Sequence, residues 1–121
     1  NLEWNTYIET FEGFSIYENE KFRTLSGGER RLIETYLILK SKSKIMILDE
    51  PFSHLSPIHI ERVMQLISIE KEHKVVIISD HMYHHIIDAS DAIYLLKNGT
   101  TKKIKNLKEL EDYKYLSEGS L

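Results

Sequence analysis

Cysteine is absent from the 121 residues, which excludes disulfide bridges and thiolate metal sites. Long apolar runs are missing as well. The longest uninterrupted ones, such as IMIL (45–48) and AIYLL (92–96), reach four or five residues, far short of the roughly 20 that a membrane-spanning helix needs. No signal-peptide pattern is visible at the start, so any membrane role is expected to come through a partner chain. Nor is there an excess of positive charge: the net charge of −3 gives no bulk reason to expect nucleic acid or an anionic membrane as partner. Internal repeats and low-complexity segments are also lacking. The first residue is Asn1 rather than Met, as expected of a chain that begins partway along a longer gene product.

What is present is an ordinary globular mixture, 41% hydrophobic and 29% charged, which excludes the disordered and fibrous classes. Trp4, Ile8 and Phe11 recur at helical spacing and predict a short amphipathic helix broken near Gly13. From Gly27 to about Leu39, the residues Leu32, Ile33, Tyr36, Leu37 and Leu39 make a helix with one apolar face. Residues 45–48 form a continuous apolar run followed at once by acids, the pattern of a strand buried on both faces in a parallel sheet. Ser56-Pro57 then opens a helix, serine as N-cap and proline in the first helical position, with Ile60, Val63, Met64 and Ile67 on its core stripe. VVII (75–78) is a second buried strand, followed by a helical segment through Ile86-Ile87. Residues 92–96 and 100–104 flank Asn98-Gly99, a hairpin turn signal, and a last helix is expected over 106–114. Strand, helix, strand, helix and hairpin in this order predict an α/β fold with a parallel sheet.

Three short segments carry chemistry. Leu25-Ser26-Gly27-Gly28-Glu29 places two glycines after a serine at the opening of a helix, where uncovered backbone N–H groups and the Ser26 hydroxyl suit a terminal phosphate. Taken alone, a flexible turn with Ser26 as N-cap would be the better reading. Ile45 follows Glu29 by sixteen positions and begins IMILDEP (45–51), which sets two acids at the C-terminal end of a buried strand, where α/β proteins present ligand-facing groups. Asp49 is suited to holding Mg²⁺ through water, and Glu50 to polarising an attacking water. Third, His81 lies just beyond the second strand in ISDH (78–81), placed to reach a γ-phosphate and the attacking water. A lone acid pair or a lone histidine would be structural; the three motifs at this spacing support one another.

LSGGE, the hydrophobic-DEP segment and the strand-ending histidine, in this order, resemble the ATP-binding-cassette (ABC) ATPase family over nearly the whole chain, and most closely its lipopolysaccharide-export and branched-chain amino-acid types. The resemblance implies a partial P-loop NTPase (RecA-like) parallel sheet with flanking helices and a C-terminal β-hairpin, residues 1–24 closing a helical subdomain and 25–121 forming the C-terminal part of the ATPase core. It implies ATP and Mg²⁺ as cofactors. Ser26, Gly27, Gly28 and Glu29 match the signature that contacts ATP held by the opposite subunit. Asp49 matches the Walker B aspartate on Mg²⁺, Glu50 the catalytic glutamate and His81 the switch histidine. The implied partners are a second ATPase subunit in a head-to-tail homodimer and transmembrane permease subunits that hold the protein at the cytoplasmic side of the membrane.

Two departures qualify these expectations. No Gly-x-x-x-x-Gly-Lys-Ser/Thr occurs in the chain, so the family's phosphate cradle and its lysine are expected in an upstream half, and the chain alone is expected to be inactive. The loop after Walker B ends in Ser56 where the family usually has aspartate. The missing half is also expected to leave a strand edge unpaired and apolar surface exposed, inviting association with another chain. The alternatives are a non-transport ABC ATPase acting on DNA or ribosomes, a metal module built on His81, His84, His85 and Asp88, and an inactive interaction fragment.

Overall fold

The computed structural model describes residues 22–121, and the expected helix around Trp4, Ile8 and Phe11 lies outside them. The described chain divides into two compact units, one ending at Ala89 and one beginning at Ser90.

In the first unit a 3₁₀ turn, Phe22–Thr24, leads into helix α1 (Gly27–Lys40). Strand β1 (Ile45–Asp49), helix α2 (Pro57–Glu70), strand β2 (Val75–Ser79) and the short helix α3 (Tyr83–Ala89) follow. β1 and β2 pair in parallel, Met46 opposite Val76 and Leu48 opposite Ile78, with α2 as the crossover. One face of this pair meets the helices. Leu32, Tyr36 and Leu39 of α1 pack with Met46, Leu48, Phe52 and with Ile60, Val63, Leu66 and Ile67 of α2, and Val76, Ile78, Met82 and Ile86 close the cluster. The 3.6-residue stripe of each helix and alternate strand residues thus supply one core.

The other face of the strand pair is open. Ile45, Ile47, Val75 and Ile77 are 64%, 67%, 56% and 50% exposed, and Ile45–Val75 and Ile47–Ile77 are register partners. The expectation of strands buried on both faces is therefore met on one face only. The composition of the strands is that of a fully covered sheet, but among the described residues no layer lies over this side.

A buried charge cluster fastens the far ends of the helices. Glu70, the last residue of α2, has only 6% of its side chain exposed and accepts from Lys40 Nζ at 2.9 Å and Lys74 Nζ at 2.7 Å, with His73 Nε2 at 3.4 Å. Lys74 also donates to the carbonyls of Leu39 (2.8 Å) and Ser41 (2.7 Å), capping the end of α1. Burial pushes the Glu70 carboxyl up, but hydrogen bonds and charge from Lys74 and Lys40 outweigh it and hold the group below the usual glutamate range. Burial raises the Tyr36 hydroxyl, with Lys40 lowering it and Glu70 raising it further. At the same end of α2, Lys71 Nζ donates to the Ala89 carbonyl at 3.2 Å, tying α2 to α3.

The second unit is a hairpin, β3 (Ile93–Lys97) and β4 (Thr100–Ile104), followed by helix α4 (Lys108–Asp112). Asn98 and Gly99 both take positive φ, 53° and 74°, as a two-residue hairpin turn requires. Leu95, Ile104 and Leu110 are its buried apolar residues. Lys97 Nζ reaches the Tyr113 carbonyl at 2.7 Å, and the Lys102 ammonium sits 4.0 Å from the centre of the Tyr113 ring.

Candidate functional site

The two parallel strands deliver their C-terminal ends side by side, and the three residues of Ser79-Asp80-His81 each engage the segment that follows β1. Ser79 Oγ donates to Asp49 Oδ1 at 2.6 Å. The Glu50 N–H extends the ladder to the Ser79 carbonyl at 2.7 Å. His81 Nδ1 lies 3.6 Å from Glu50 Oε1 and 3.7 Å from Asp80 Oδ1. Asp80 has a fully buried side chain, and its two oxygens accept from the N–H groups of Phe52 (3.2 Å) and Met82 (2.8 Å). The expected pair Glu50 and His81 is thus brought together beside Asp49. Asp80 was not among the expected site residues. An acid between a serine and a histidine reads as one more polar residue past a strand, and only the fold brings it beneath Phe52.

The backbone here is unusual. Glu50 and His54 both have positive φ, 48° and 62°, a region that costs non-glycine residues about 1–3 kcal/mol and that collects at ligand sites. The bend at Glu50 turns its half-exposed carboxylate off the strand while Phe52 plunges into the core.

The glycine turn is held against this same loop. An alanine methyl at Gly28 would sit 2.5 Å from the His54 carbonyl oxygen, so the turn and the loop after β1 touch backbone to backbone. At Gly27 the same methyl would meet nothing within 4 Å among the described residues. Ser26 caps α1 in a reciprocal box: its Oγ accepts from the Glu29 N–H at 3.1 Å, and its own N–H donates to Glu29 Oε1 at 3.4 Å. Arg30 secures the approach, donating from Nε to the Leu25 carbonyl at 3.1 Å and from its terminal nitrogen to the Arg23 carbonyl at 3.4 Å. Ser56 is N-cap of α2 by position, with Pro57 following, but its hydroxyl makes no capping hydrogen bond.

These residues fit a magnesium nucleotide. Asp49 spends one oxygen on Ser79 and keeps the other for a cation-bound water. The Ser26 hydroxyl accepts from Glu29 and so retains its proton for an anion, and the open space over Gly27 leaves room for a phosphate at the helix start. The Glu29 carboxylate is committed to the Ser26 N–H and cannot itself donate to an anion. The histidine-rich alternative is not assembled: no three His, Asp or Glu side chains converge as a metal site among the described residues. The His84 ring lies on Tyr83 at 4.0 Å between centroids and the His85 ring on Phe52 at 5.3 Å.

Acids and a histidine at the ends of adjacent parallel strands, faced by a glycine turn opening a helix, define an α/β ATPase-type core. Solved structures agree on the fold. A chain from work on ATP-driven dimerization and DNA-stimulated activation of SMC ATPases superposes with a TM-score of 0.56 at 22% identity, covering 78% of this chain and 65% of that one. An Smc head bound to the C-terminal winged-helix domain of ScpA gives 0.56 at 19% identity over 74% of this chain and 30% of that one. At such identities the likeness concerns architecture alone. No family model matches the chain. Its curated relatives are more specific. The ABC transporter ATP-binding protein YhaQ of Bacillus subtilis is 30% identical over 110 residues, 90% of this chain and 37% of that protein. The energy-coupling factor transporter ATP-binding protein EcfA of Methanosphaera stadtmanae is 36% identical over 107 residues, 83% of this chain and 38% of that protein. The lipopolysaccharide export system ATP-binding protein LptB of Haemophilus influenzae is 30% identical over 118 residues, 92% of this chain and 48% of that protein. Over most of its length the chain is similar to ABC transporter ATP-binding proteins, and it spans less than half the length of these relatives.

Proposed function

We propose that this chain is the C-terminal part of the ATP-hydrolysing subunit of an ABC transporter, and that it supplies the hydrolytic acids and the signature turn while an upstream half grips the nucleotide. The observation that carries the reading is the contact set at the strand ends, where Glu50, His81 and Asp49 converge beside the loop that packs on Gly28.

Bound Mg-ATP would supply the phosphoanhydride to be cleaved and the cation that spreads its charge. Glu50 accepts a proton from water, a role its exposed and bent position allows. His81, turned to Glu50 through Nδ1, has Nε2 left to accept a hydrogen bond from the attacking water. Asp49, oriented by Ser79, would hold the cation through a bound water. Ser26 and the N–H groups of Gly27 and Gly28 form the face offered to the nucleotide of a second subunit, with Glu29 acting through Ser26. The subunits work as a head-to-tail pair on permease partners, at the cytoplasmic face of the membrane. Among the described residues no helix is long and apolar enough to cross the bilayer.

Calorimetric titration with Mg-ATP tests the proposal, comparing the 121-residue chain with the same chain joined to a P-loop-bearing upstream half. Silence from the first and binding by the second is expected. Micromolar binding by the chain alone would overturn the assigned roles of Ser26, Asp49 and Glu50.

A further inference from the structure

We infer that Asp80 is a positioning residue for the hydrolytic pair, a clasp that sets both the loop carrying Glu50 and the imidazole of His81; the inference rests on the function proposed above. Its carboxylate is fully buried, yet among the described residues neither oxygen pairs with a lysine or an arginine. Instead one oxygen accepts from the backbone two residues after Glu50 and the other from the backbone one residue after His81. A short acidic side chain therefore spans two loops that no strand pairing reaches. The ladder ends where Glu50 N–H meets the Ser79 carbonyl, so beyond that bond these loops rely on side chains for their relative placement.

The clasp also bears on proton position. His81 Nδ1 has carboxylate oxygens on two sides, Glu50 Oε1 at 3.6 Å and Asp80 Oδ1 at 3.7 Å. These distances exceed those of a formed hydrogen bond, so the effect is a field rather than a bond. Two negative groups beside Nδ1 favour the neutral tautomer with its proton on that nitrogen, which leaves the Nε2 lone pair free to accept. Glu50 is half exposed, whereas Asp80 is fixed by two backbone donors. Asp80 is therefore the member of the pair that holds the ring's orientation and tautomer.

Long-range nitrogen–proton NMR of the 121-residue chain, roughly two pH units above the ordinary imidazole value, reads the tautomer directly and needs no nucleotide. In the wild type His81 is expected with its proton on Nδ1. Glu50→Ala is expected to keep that signal, and Asp80→Asn and then Asp80→Ala to lose it stepwise, with the Phe52 and Met82 amide resonances shifting alongside. An Nε2–H tautomer in the wild type would overturn the inference, as would a folded Asp80→Ala chain with the Nδ1–H signal intact. Should Asp80→Ala fail to fold, the wild-type tautomer and its survival in Glu50→Ala still decide. Because the readout is nucleotide-free, loss of the transporter reading in calorimetry and loss of the clasp in NMR are separate events.

Discussion

Replacing Gly28 with alanine would place a methyl carbon 2.5 Å from the carbonyl oxygen of His54, closer than carbon and oxygen atoms approach in folded chains. The obstructing atom is backbone, in a residue already held at φ 62°, so relief requires moving the loop or tilting the start of α1. Overpacking of this kind costs about 1–3 kcal/mol, set against a gain of roughly 0.5–1 kcal/mol from exchanging a helical glycine for alanine. Gly27→Ala is the matched control. It carries the same change in the unfolded chain, one residue earlier in the same helix, with nothing among the described residues within 4 Å of the added methyl. The two variants should therefore differ by about 2 kcal/mol, Gly28→Ala destabilised and Gly27→Ala neutral or slightly stabilised. For a chain of this size that is a Tm difference of roughly 8 °C. Thermal and urea melts followed by far-ultraviolet circular dichroism measure it. Equal melts for the two variants would refute the close approach, and with it the placement of the glycine turn against the loop after β1.

Glu70 predicts a pH dependence. Its folded pKa lies below the ordinary value of about 4.3, so the stability it lends is complete above that value and is lost as pH falls through the lowered one. Urea melts between neutral and acid pH should show this loss, and Glu70→Gln should remove about 2 kcal/mol at neutral pH and flatten that part of the profile, as expected for hydrogen bonds to a charged acceptor. The open sheet face predicts association. Sedimentation velocity should show the chain self-associating with concentration, and an Ile47→Lys, Ile77→Lys double variant should shift it toward monomer; a monodisperse wild-type monomer would count against the exposed seam.

The element order was legible because each element has a local cause. The α1 and α2 stripes, the Ser26-Gly27-Gly28 and Ser56-Pro57 openings and the Asn98-Gly99 turn can all be read within a few residues. The placing of Glu50 and His81 on adjacent strand ends was also legible, since both follow apolar runs of parallel-strand type. What stayed hidden depends on pairs far apart in the chain. Asp80 is polar like its neighbours and gains its place only from Phe52, 28 positions away. Gly28 reads as a helix-opening glycine, and its contact with His54 is a matter of tertiary approach. Glu70 reads as a solvated helix terminus until Lys40 and Lys74 close on it. The open face of β1 was misread because apolar composition says how a strand can be covered, not whether the covering layer is there.

The lysine that caps α1 has a further effect on strand alignment. IMIL and VVII are apolar at every position, so sliding one strand along the other leaves apolar groups on both faces, and hydrophobicity alone cannot select the native alignment. A slip of two residues, which even preserves which side chains face the helices, would carry Lys74 about 6.6 Å along the strand. That displacement would take its ammonium away from the Leu39 and Ser41 carbonyls at one end. It would also part the Ser79 hydroxyl from Asp49 at the other. Polar pins at the two margins thus serve as a vernier for a greasy interior, and the separation between the acids of one strand and the histidine beyond the other is gauged by a lysine at the opposite end of the sheet.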